Sequence, residues 1–330
     1  MNPRPPRAET AGGARAPAHG GITARPWWPR ARTAAQIAFF ALVAWLLLAQ
    51  ARSIEWDKVI ATVHSRPPRS LLLAAALAVL SYAIYGCFDL LGRHVTRHRL
   101  RRRVVVAVNL ICYAFNLNIG ATVGGAAFRF RLYSRLGLDA GTTARIIAIT
   151  MFTNWAGYVL LAGTVFLLRP LALPPDWAID RNGLRLFGGA LLAVALAYLL
   201  LCILASGRGI AFKGHAATIP TLRFTLLQLC MSSANWLLIA SVIYVLLNRQ
   251  IPFADVLSVL LVAAIAGVIT HVPGGLGVVE AVFAALLSHR LAASELIASI
   301  LMYRTIYYFA PLGLAVAGYL LMEARIRKAR

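Results

Sequence analysis

Apolar segments long enough to cross a bilayer recur along this 330-residue chain, and they restrict its fold more than any other feature. Hydrophobic residues make up 60% of the sequence and charged residues only 13%. A transmembrane helix needs about 20 apolar residues, and it satisfies its own backbone hydrogen bonds within lipid. We therefore predict an all-α polytopic membrane protein. Six segments are long enough to span the membrane: 33–51, 70–92, 144–168, 184–205, 223–247 and 295–322.

Two further apolar regions, 104–127 and 255–287, are interrupted by glycines, which makes eight hydropathy segments in all. The arm 276–287 follows Pro273, Gly274 and Gly275, and as a helix it would reach only about 18 Å against a core of about 30 Å. We therefore predict a re-entrant hairpin with these three residues at its tip. A similar hairpin is predicted around Gly124 and Gly125. An eight-span arrangement stays open, because a helix over 103–119 is about 25 Å long.

The basic residues between the spans test this arrangement. With both hairpins re-entrant and the N-terminus inside, the predicted cytoplasmic segments hold 23 Lys and Arg and the periplasmic segments hold 8. This bias agrees with the positive-inside rule. The halves 33–168 and 184–322 then become inverted repeats, each with two spans, a hairpin and a third span. Inverted repeats are typical of transporters whose site lies near the midplane, where broken helices meet.

The two ends of the chain differ in composition from the single transmembrane domain predicted over residues 33–322. Residues 1–32 are rich in Pro, Ala, Gly and Arg, which predicts a disordered cytoplasmic tail. A signal peptide cleaved after Ala49-Gln50-Ala51 is the alternative interpretation of the N-terminal region. Residues 323–330 are predicted to form a cytoplasmic C-terminal tail.

Several function classes are disfavoured. The net charge is +22, but the basic residues lie between spans rather than on one soluble domain, so we expect no nucleic-acid partner. The four cysteines lie in apolar stretches without metal-ligand spacing, and neither a metal nor a cofactor is predicted. GxxxxGK[ST], HExxH and GxSxG motifs are absent, which disfavours an ATPase or a hydrolase and predicts no catalytic residue.

Two charged residues fall within the apolar depth of the second half. Glu280 follows the Gly274-Gly275 break, and Arg304 lies about 14 Å into the last span. An unpaired charge at that depth is unfavourable, so we predict that the two side chains form an ion pair. The pair either handles a substrate or ion, or only fastens the hairpin to the last span. His271 is a candidate proton relay with Glu280, or a polar cap on a broken helix.

The first half carries its own charged candidates. Arg129 and Arg131 follow the first glycine pair, and their guanidinium groups suit phosphate geometry. They share a face only if this segment is extended, because in a helix they point about 200° apart; ordinary interfacial arginines are the alternative. Asp89 lies four residues before Arg93, and we predict an interfacial ion pair between them.

The chain also resembles a known family. His271 to Ala281 is similar to the PGGxGxxEA signature of the lysylphosphatidylglycerol synthetase transmembrane region, a flippase-like family. Residues 303–311 resemble the final-span pattern of that family, and segments 81–91 and 129–138 resemble a bacterial inner-membrane branch of it. Many members carry an acidic residue where this chain has Ala126, so the head group recognised is expected to differ.

The resemblance implies a multi-pass inner-membrane protein that moves an anionic or modified phospholipid between leaflets, with Arg129, Arg131, Glu280 and Arg304 at its site. Members that synthesise the lipid carry a soluble transferase domain after the membrane part, whereas this sequence ends eight residues past its last span; we therefore expect no enzyme activity. A non-transporting partner or regulator of a phospholipid-synthesising enzyme is the second hypothesis, and an intramembrane enzyme is the third.

Overall fold

The computed structural model describes residues 67–171, 173, 180–212, 215–270 and 272–328, together with residues 41 and 45. The chain divides into two compact units, Met1–Leu48 and Ala49–Arg330, and the fold below is that of the second. The predicted N-terminal tail, the first predicted span apart from residues 41 and 45, the alternative cleavage site and His271 lie outside the described residues.

Helices make up nearly all of the described first half. The elements in chain order are α1 (Pro68–Gly86), α2 (Phe88–Thr96), α3 (Arg102–Ile119), a π-helical turn (Ala121–Ala127), α4 (Phe128–Arg135) and α5 (Ala140–Leu168). Pro68 occupies the first turn of α1, where its missing N–H is not needed. Asp139 caps α5 by accepting a 2.8 Å hydrogen bond from the Thr142 amide.

The described second half is also helical, apart from one short antiparallel ladder in which Gly209 pairs with Thr218. Its elements are α6 (Arg181–Leu204), β1 (Gly209–Phe212), β2 (His215–Thr218), α7 (Leu222–Leu246), α8 (Phe253–Thr270), a 3₁₀ turn (Pro273–Gly275), α9 (Val278–Leu287), α10 (Ala293–Arg304), a π-helical turn (Thr305–Phe309) and α11 (Ala310–Lys328).

Among the described residues, six helices are long and apolar enough to cross a membrane. Five of them coincide with predicted spans and confirm those predictions: Pro68–Thr96, Ala140–Leu168, Arg181–Leu204, Leu222–Leu246 and Ala293–Ala324. The sixth, Phe253–Thr270, is the segment that the sequence predicted as the first arm of a hairpin. Its partner α9 has only 10 residues, or about 15 Å of helix.

Contacts between helix ends divide the loops between two faces of the helix bundle. We call the first the basic face; it contains residues 93–101, 136–139, 205–212, 215–221 and the end of α11. It is held together by the paired rings of His94 and Phe224, 6.0 Å apart, and by the Arg135–Glu323 ion pair. The opposite face contains residues 169–171, 173, 180, 247–252 and 288–292, and there Arg290 Nη1 lies 3.1 Å from Asp255 Oδ2. The described loops are thus grouped as they were in the charge count, whose segments 1–32 and 52–66 lie outside the described residues.

The same contacts show that the two arms of each interrupted region run antiparallel to each other. The pair formed by α3 and the segment Ala121–Arg135 begins and ends at the basic face. The pair formed by α8 and α9 begins and ends at the opposite face, where Asp255 and Arg290 meet. Each interrupted region is therefore a pair of helical arms joined at a glycine break, which we call the first and the second hairpin.

Candidate functional site

The break between α8 and α9 has a backbone that only glycine adopts easily. Gly274, Gly275 and Gly277 have φ values of +64°, +58° and +75°, a region that L side chains rarely occupy. α9 begins directly afterwards at Val278. The second hairpin therefore turns where the sequence predicted, at Pro273 to Gly275.

Arg304 closes this break. Its Nη1 donates to the Gly274 carbonyl at 2.9 Å and its Nη2 to the Gly275 carbonyl at 2.6 Å. Nη2 also donates to Glu280 Oε2 at 3.0 Å, and Nε donates to Oε1. The predicted Glu280–Arg304 ion pair is thus confirmed. Because Arg304 is only 1% exposed, its guanidinium supplies the hydrogen bonds that water would otherwise give to these carbonyls.

The carboxylate of this pair is less enclosed than the guanidinium. The side chain of Glu280 is 15% exposed, against 1% for Arg304. Glu280 lies in the first turn of α9, where the helix dipole favours a negative charge. The Arg304 guanidinium also lies 5.2 Å from the centre of the Tyr308 ring, within cation–π range. The pair is therefore buried on its cationic side and accessible on its anionic side.

The first hairpin turns at a different glycine from those predicted. Gly120, with φ of +100°, ends α3, whereas Gly124 and Gly125 lie inside the π-helical turn that follows. A Cβ on Gly124 would clash with the Phe115 carbonyl oxygen. The glycine pair is therefore needed for close packing of the two arms rather than for the turn itself.

This close approach gives a testable expectation. Gly124→Ala should lower the stability of the folded protein by about 1–3 kcal/mol or more, because the added methyl meets backbone that cannot rotate away. The change is measured as the melting temperature in detergent. Gly313→Ala in α11 is the matched control, since a Cβ there meets nothing within 4 Å. Equal melting temperatures for the two variants would show that the arms are not closely packed.

Arg129, in the second arm of the first hairpin, is the centre of a second buried polar cluster. It is 4% exposed, and its Nε donates to Asp89 Oδ2 at 3.2 Å. Nη1 donates to the Gly125 carbonyl at 3.0 Å, and Nη2 donates to Asn109 Oδ1. Both hairpins therefore have a buried arginine that binds a carboxylate and a carbonyl of the glycine pair.

The predicted pair between Asp89 and Arg93 is wrong. Asp89 is fully buried and also accepts hydrogen bonds from the Tyr133 and Thr150 hydroxyls, at 2.8 and 2.7 Å. Arg93 instead donates to the Leu100 carbonyl at 2.9 Å. A carboxylate in the bundle interior needs a partner that is itself buried, and a helix-end arginine remains near solvent.

Arg131 lies on α4 with Arg129 but contacts a different element. Its Nε donates to the Tyr319 hydroxyl at 2.8 Å, and its Nη2 lies 3.8 Å from Glu323 Oε1. Arg135 also pairs with Glu323. Because α4 is helical, Arg129 and Arg131 do not share a face, and the structure does not bring these two predicted residues together. Arg131 and Arg135 fasten the first hairpin to the last span.

The two hairpins meet inside the bundle. α3 contacts the Pro273–Gly275 turn of the second hairpin and the π-helical turn after Arg304. Asn118, in the last turn of α3, donates from Nδ2 to the Tyr308 carbonyl at 3.2 Å. Tyr308 is the residue whose ring faces Arg304. The first hairpin therefore touches the groups that close the second.

A buried hydroxyl network lies beside this meeting point, and sequence analysis missed most of it. The Tyr307 hydroxyl is 2.6 Å from the Ser81 hydroxyl and 3.0 Å from that of Tyr113. Ser81 also donates to Asn235 Oδ1 at 2.7 Å. Four separate elements, α1, α3, α7 and the π-helical turn, thus share one polar cluster. The aromatic residues at 82, 85, 303 and 307–308 were the available signal.

Comparison with known proteins identifies the family. A family model described as the lysylphosphatidylglycerol synthase TM region matches residues 34–315. The chain belongs to this family. The resemblance seen in the residues after the second glycine pair is therefore confirmed, and it extends over most of the chain.

Individual relatives support the same assignment. Inner membrane protein YbhN of Escherichia coli (strain K12) is 43% identical over 306 residues, which cover 92% of this chain and 96% of that protein. Uncharacterized protein slr0712 of Synechocystis sp. is 30% identical over 279 residues, covering 82% and 85%. A phosphatidylglycerol lysyltransferase of Staphylococcus haemolyticus is 32% identical over 90 residues, which cover 26% of this chain and 11% of that protein. Together with the apolar helices, these relatives make the chain a multi-pass inner-membrane protein.

Proposed function

We propose that this protein is a lipid transporter of the flippase type, which moves an anionic or modified phospholipid between the leaflets of the inner membrane. The main support is the Arg304–Glu280 cluster, which closes a glycine break beside the tip of the other hairpin. Broken helices that meet inside a bundle are typical of transporter sites. The family membership and the partial similarity to a lipid-modifying enzyme agree with a phospholipid substrate.

The two hairpins have different roles in this proposal. The first is fixed, since Asp89 and Arg129 are at most 4% exposed and each nitrogen and oxygen of their charged groups has a protein partner. The second is the moving element, because its turn contains three glycines with positive φ and its Glu280 is 15% exposed. A phosphate oxygen that replaces Glu280 as the partner of Arg304 would keep the guanidinium satisfied while it releases the turn.

The other predicted site residues have different roles in this proposal. Arg131, whose side chain is 17% exposed, provides the first contact for a phosphate at the basic face. Arg129 supports the hairpin and meets the substrate only if it leaves Asp89. Glu280 sets the local charge at the site or couples lipid movement to protons. His271, the other member of the predicted relay, lies outside the described residues.

The proposal also includes the orientation of the protein in the membrane and the symmetry between its two halves. The basic face is cytoplasmic, as the positive-inside rule predicts, both hairpins re-enter the bilayer, and the two halves are inverted repeats. The termini are then cytoplasmic. Inverted repeats permit alternating access around one central site.

Cysteine labelling tests the orientation. In a background in which alanine replaces the four native cysteines, Ser134→Cys should react with a membrane-impermeant maleimide only after the inner membrane is opened. His289→Cys should react from the periplasm in intact spheroplasts. Both positions are exposed, so each is a control for the reactivity of the other. Labelling of Ser134→Cys from the periplasm would reverse the assignment and end the inverted-repeat model.

Lipid transport is tested with purified protein in liposomes that contain fluorescent phosphatidylglycerol, cardiolipin or phosphatidylcholine. Anionic lipids should move faster than phosphatidylcholine, and Arg131→Gln should slow them, because one guanidinium contact to phosphate is lost. Arg290→Gln, at the opposite face, should leave the rate unchanged. Equal movement of all three lipids would indicate unspecific scrambling. An absence of movement, with a phospholipid-synthesising enzyme co-purifying, would favour the partner or regulator hypothesis.

A further inference from the structure

Five exposed arginines lie within seven residues at the basic face. They follow directly after Pro68–Thr96, a helix long enough to span the membrane. They also immediately precede and begin α3, the first arm of the first hairpin. We call this segment, residues 97–103, the arginine loop; its exposed arginines are Arg97, Arg99, Arg101, Arg102 and Arg103.

The backbone of the arginine loop is held in one conformation. Arg97 has a φ of +52° and donates its amide to the Arg93 carbonyl at 2.9 Å. The Arg93 side chain donates to the Leu100 carbonyl at 2.9 Å, and the Leu100 amide donates to His98 Nδ1 at 3.3 Å. The arginines therefore extend from a fixed turn, and a ligand that binds them does not have to order the loop.

The positive charge of the loop has no balancing carboxylate in the part of the chain that the structure describes. None of the ion pairs between described residues includes any of its five arginines. Arg101 is the N-cap of α3, and the first helical turn contains no acidic residue. A helix N-terminus carries a partial positive charge that disfavours cations and favours anions. An anion with several oxygens would relieve the repulsion in this loop.

His98 does not add to this charge. Burial and the neighbouring Arg93 lower the pKa of His98 below its ordinary value, and they outweigh the opposite effect of Asp89. The imidazole is therefore neutral near pH 7, and the charge of the loop comes from the arginines alone.

We propose that the arginine loop binds the phosphate groups of anionic phospholipids in the leaflet that it borders. The occupant follows from position and charge: the loop starts where an apolar helix ends, which is the level of the lipid head groups. Val95, just before the loop, is 49% exposed and provides an apolar contact for an acyl chain. This site is separate from the cluster between the hairpins, and it does not depend on transport.

Native mass spectrometry of the detergent-purified full chain tests the proposal, with phosphatidylglycerol and phosphatidylcholine of the same acyl chains as probes. Arg99→Gln, Arg102→Gln and Arg103→Gln together should lower phosphatidylglycerol retention by about fivefold for each arginine removed. The control combines Arg169→Gln, Arg181→Gln and Arg249→Gln, three exposed arginines of the opposite face. It removes the same charge and should retain phosphatidylglycerol as the wild type does.

Three results would overturn the proposal: equal retention in the loop variant and the wild type, an equal loss in the control variant, or equal retention of phosphatidylcholine. A measurement on the wild type covers the case in which the loop variant does not fold. Phosphatidylglycerol retention should fall steeply as salt is raised, because exposed charges are screened, and a retention that is independent of salt would contradict an electrostatic site. The outcome is independent of the liposome assay, so the two proposals can fail separately.

Discussion

Arg304→Gln is expected to remove most of the folded protein from the membrane. The substitution leaves the Glu280 carboxylate without its cation and the Gly274 and Gly275 carbonyls without their donors. Breaking one side of a buried ion pair costs about 3–5 kcal/mol, a large fraction of the stability of a typical protein. The amount of monodisperse protein after detergent extraction measures the effect, by fluorescence-detected size-exclusion chromatography of a fusion protein.

The double variant makes this test specific. Glu280→Gln together with Arg304→Gln leaves no unpaired charge, so it should recover much of the lost protein, although the carbonyl contacts stay weaker. If Glu280 also handles the substrate, lipid movement will remain absent in the recovered protein. Arg290→Gln is the control, because its pair with Asp255 is 44% and 20% exposed and contributes about 0–1 kcal/mol. A single Arg304→Gln variant with normal yield and activity would refute the role of the pair.

Asp89→Asn is expected to destabilise the first hairpin by a similar amount. Tyr133 and Thr150 donate to different oxygens of Asp89, so only one of the two hydroxyls keeps an acceptor on the new amide, and Arg129 keeps a full charge at 4% exposure without a carboxylate. The expected loss is about 3–5 kcal/mol. It is measured as the melting temperature in detergent and as the yield of extracted protein.

The control for this second prediction is Arg93→Gln. Arg93 is on the same helix as Asp89, yet the hydrogen bond that its side chain makes within the described part of the chain is to the Leu100 carbonyl. Its loss should therefore cost about 1 kcal/mol, the worth of one hydrogen bond. The double variant Asp89→Asn with Arg129→Gln should recover stability, whereas Asp89→Asn with Arg93→Gln should not. The reverse pattern would mean that the helix-end pair is the real one.

The sequence alone was sufficient to predict the Glu280–Arg304 pair because no other charged residue lies close to either of them in its apolar segment. Two charges within apolar segments, with no nearby neighbour of opposite sign, leave only each other as partners. Asp89 was harder, because Arg93 is placed four residues away and offers a simple local pair. The choice between Arg93 and Arg129 depends on which side of α2 faces the bundle, and that is a property of packing rather than of spacing.

The glycines show a similar division. Pro273, Gly274 and Gly275 were recognised as a turn because proline and two glycines interrupt a long apolar segment. In the first hairpin the same argument favoured the pair Gly124-Gly125, yet the turn is at the single Gly120. A lone glycine and a glycine pair differ little in sequence. The packing of Gly124 against Phe115 shows that this glycine is needed for a close contact rather than for the turn, and packing is not visible in the sequence.

The π-helical turn Thr305–Phe309 determines how the two parts of the last span are rotated relative to each other about the helix axis. On one side of it, Arg304 is fixed to the second hairpin, and on the other side Tyr319 and Glu323 are fixed to α4 of the first. A π turn holds one residue more than an α turn. Its conversion to α-helix would rotate the two ends of the span by about 100° relative to each other and shift them by about 1.5 Å. The second hairpin is therefore attached on the N-terminal side of the π-helical turn and the first hairpin on its C-terminal side, and a rotation at the turn cannot leave both attachments intact.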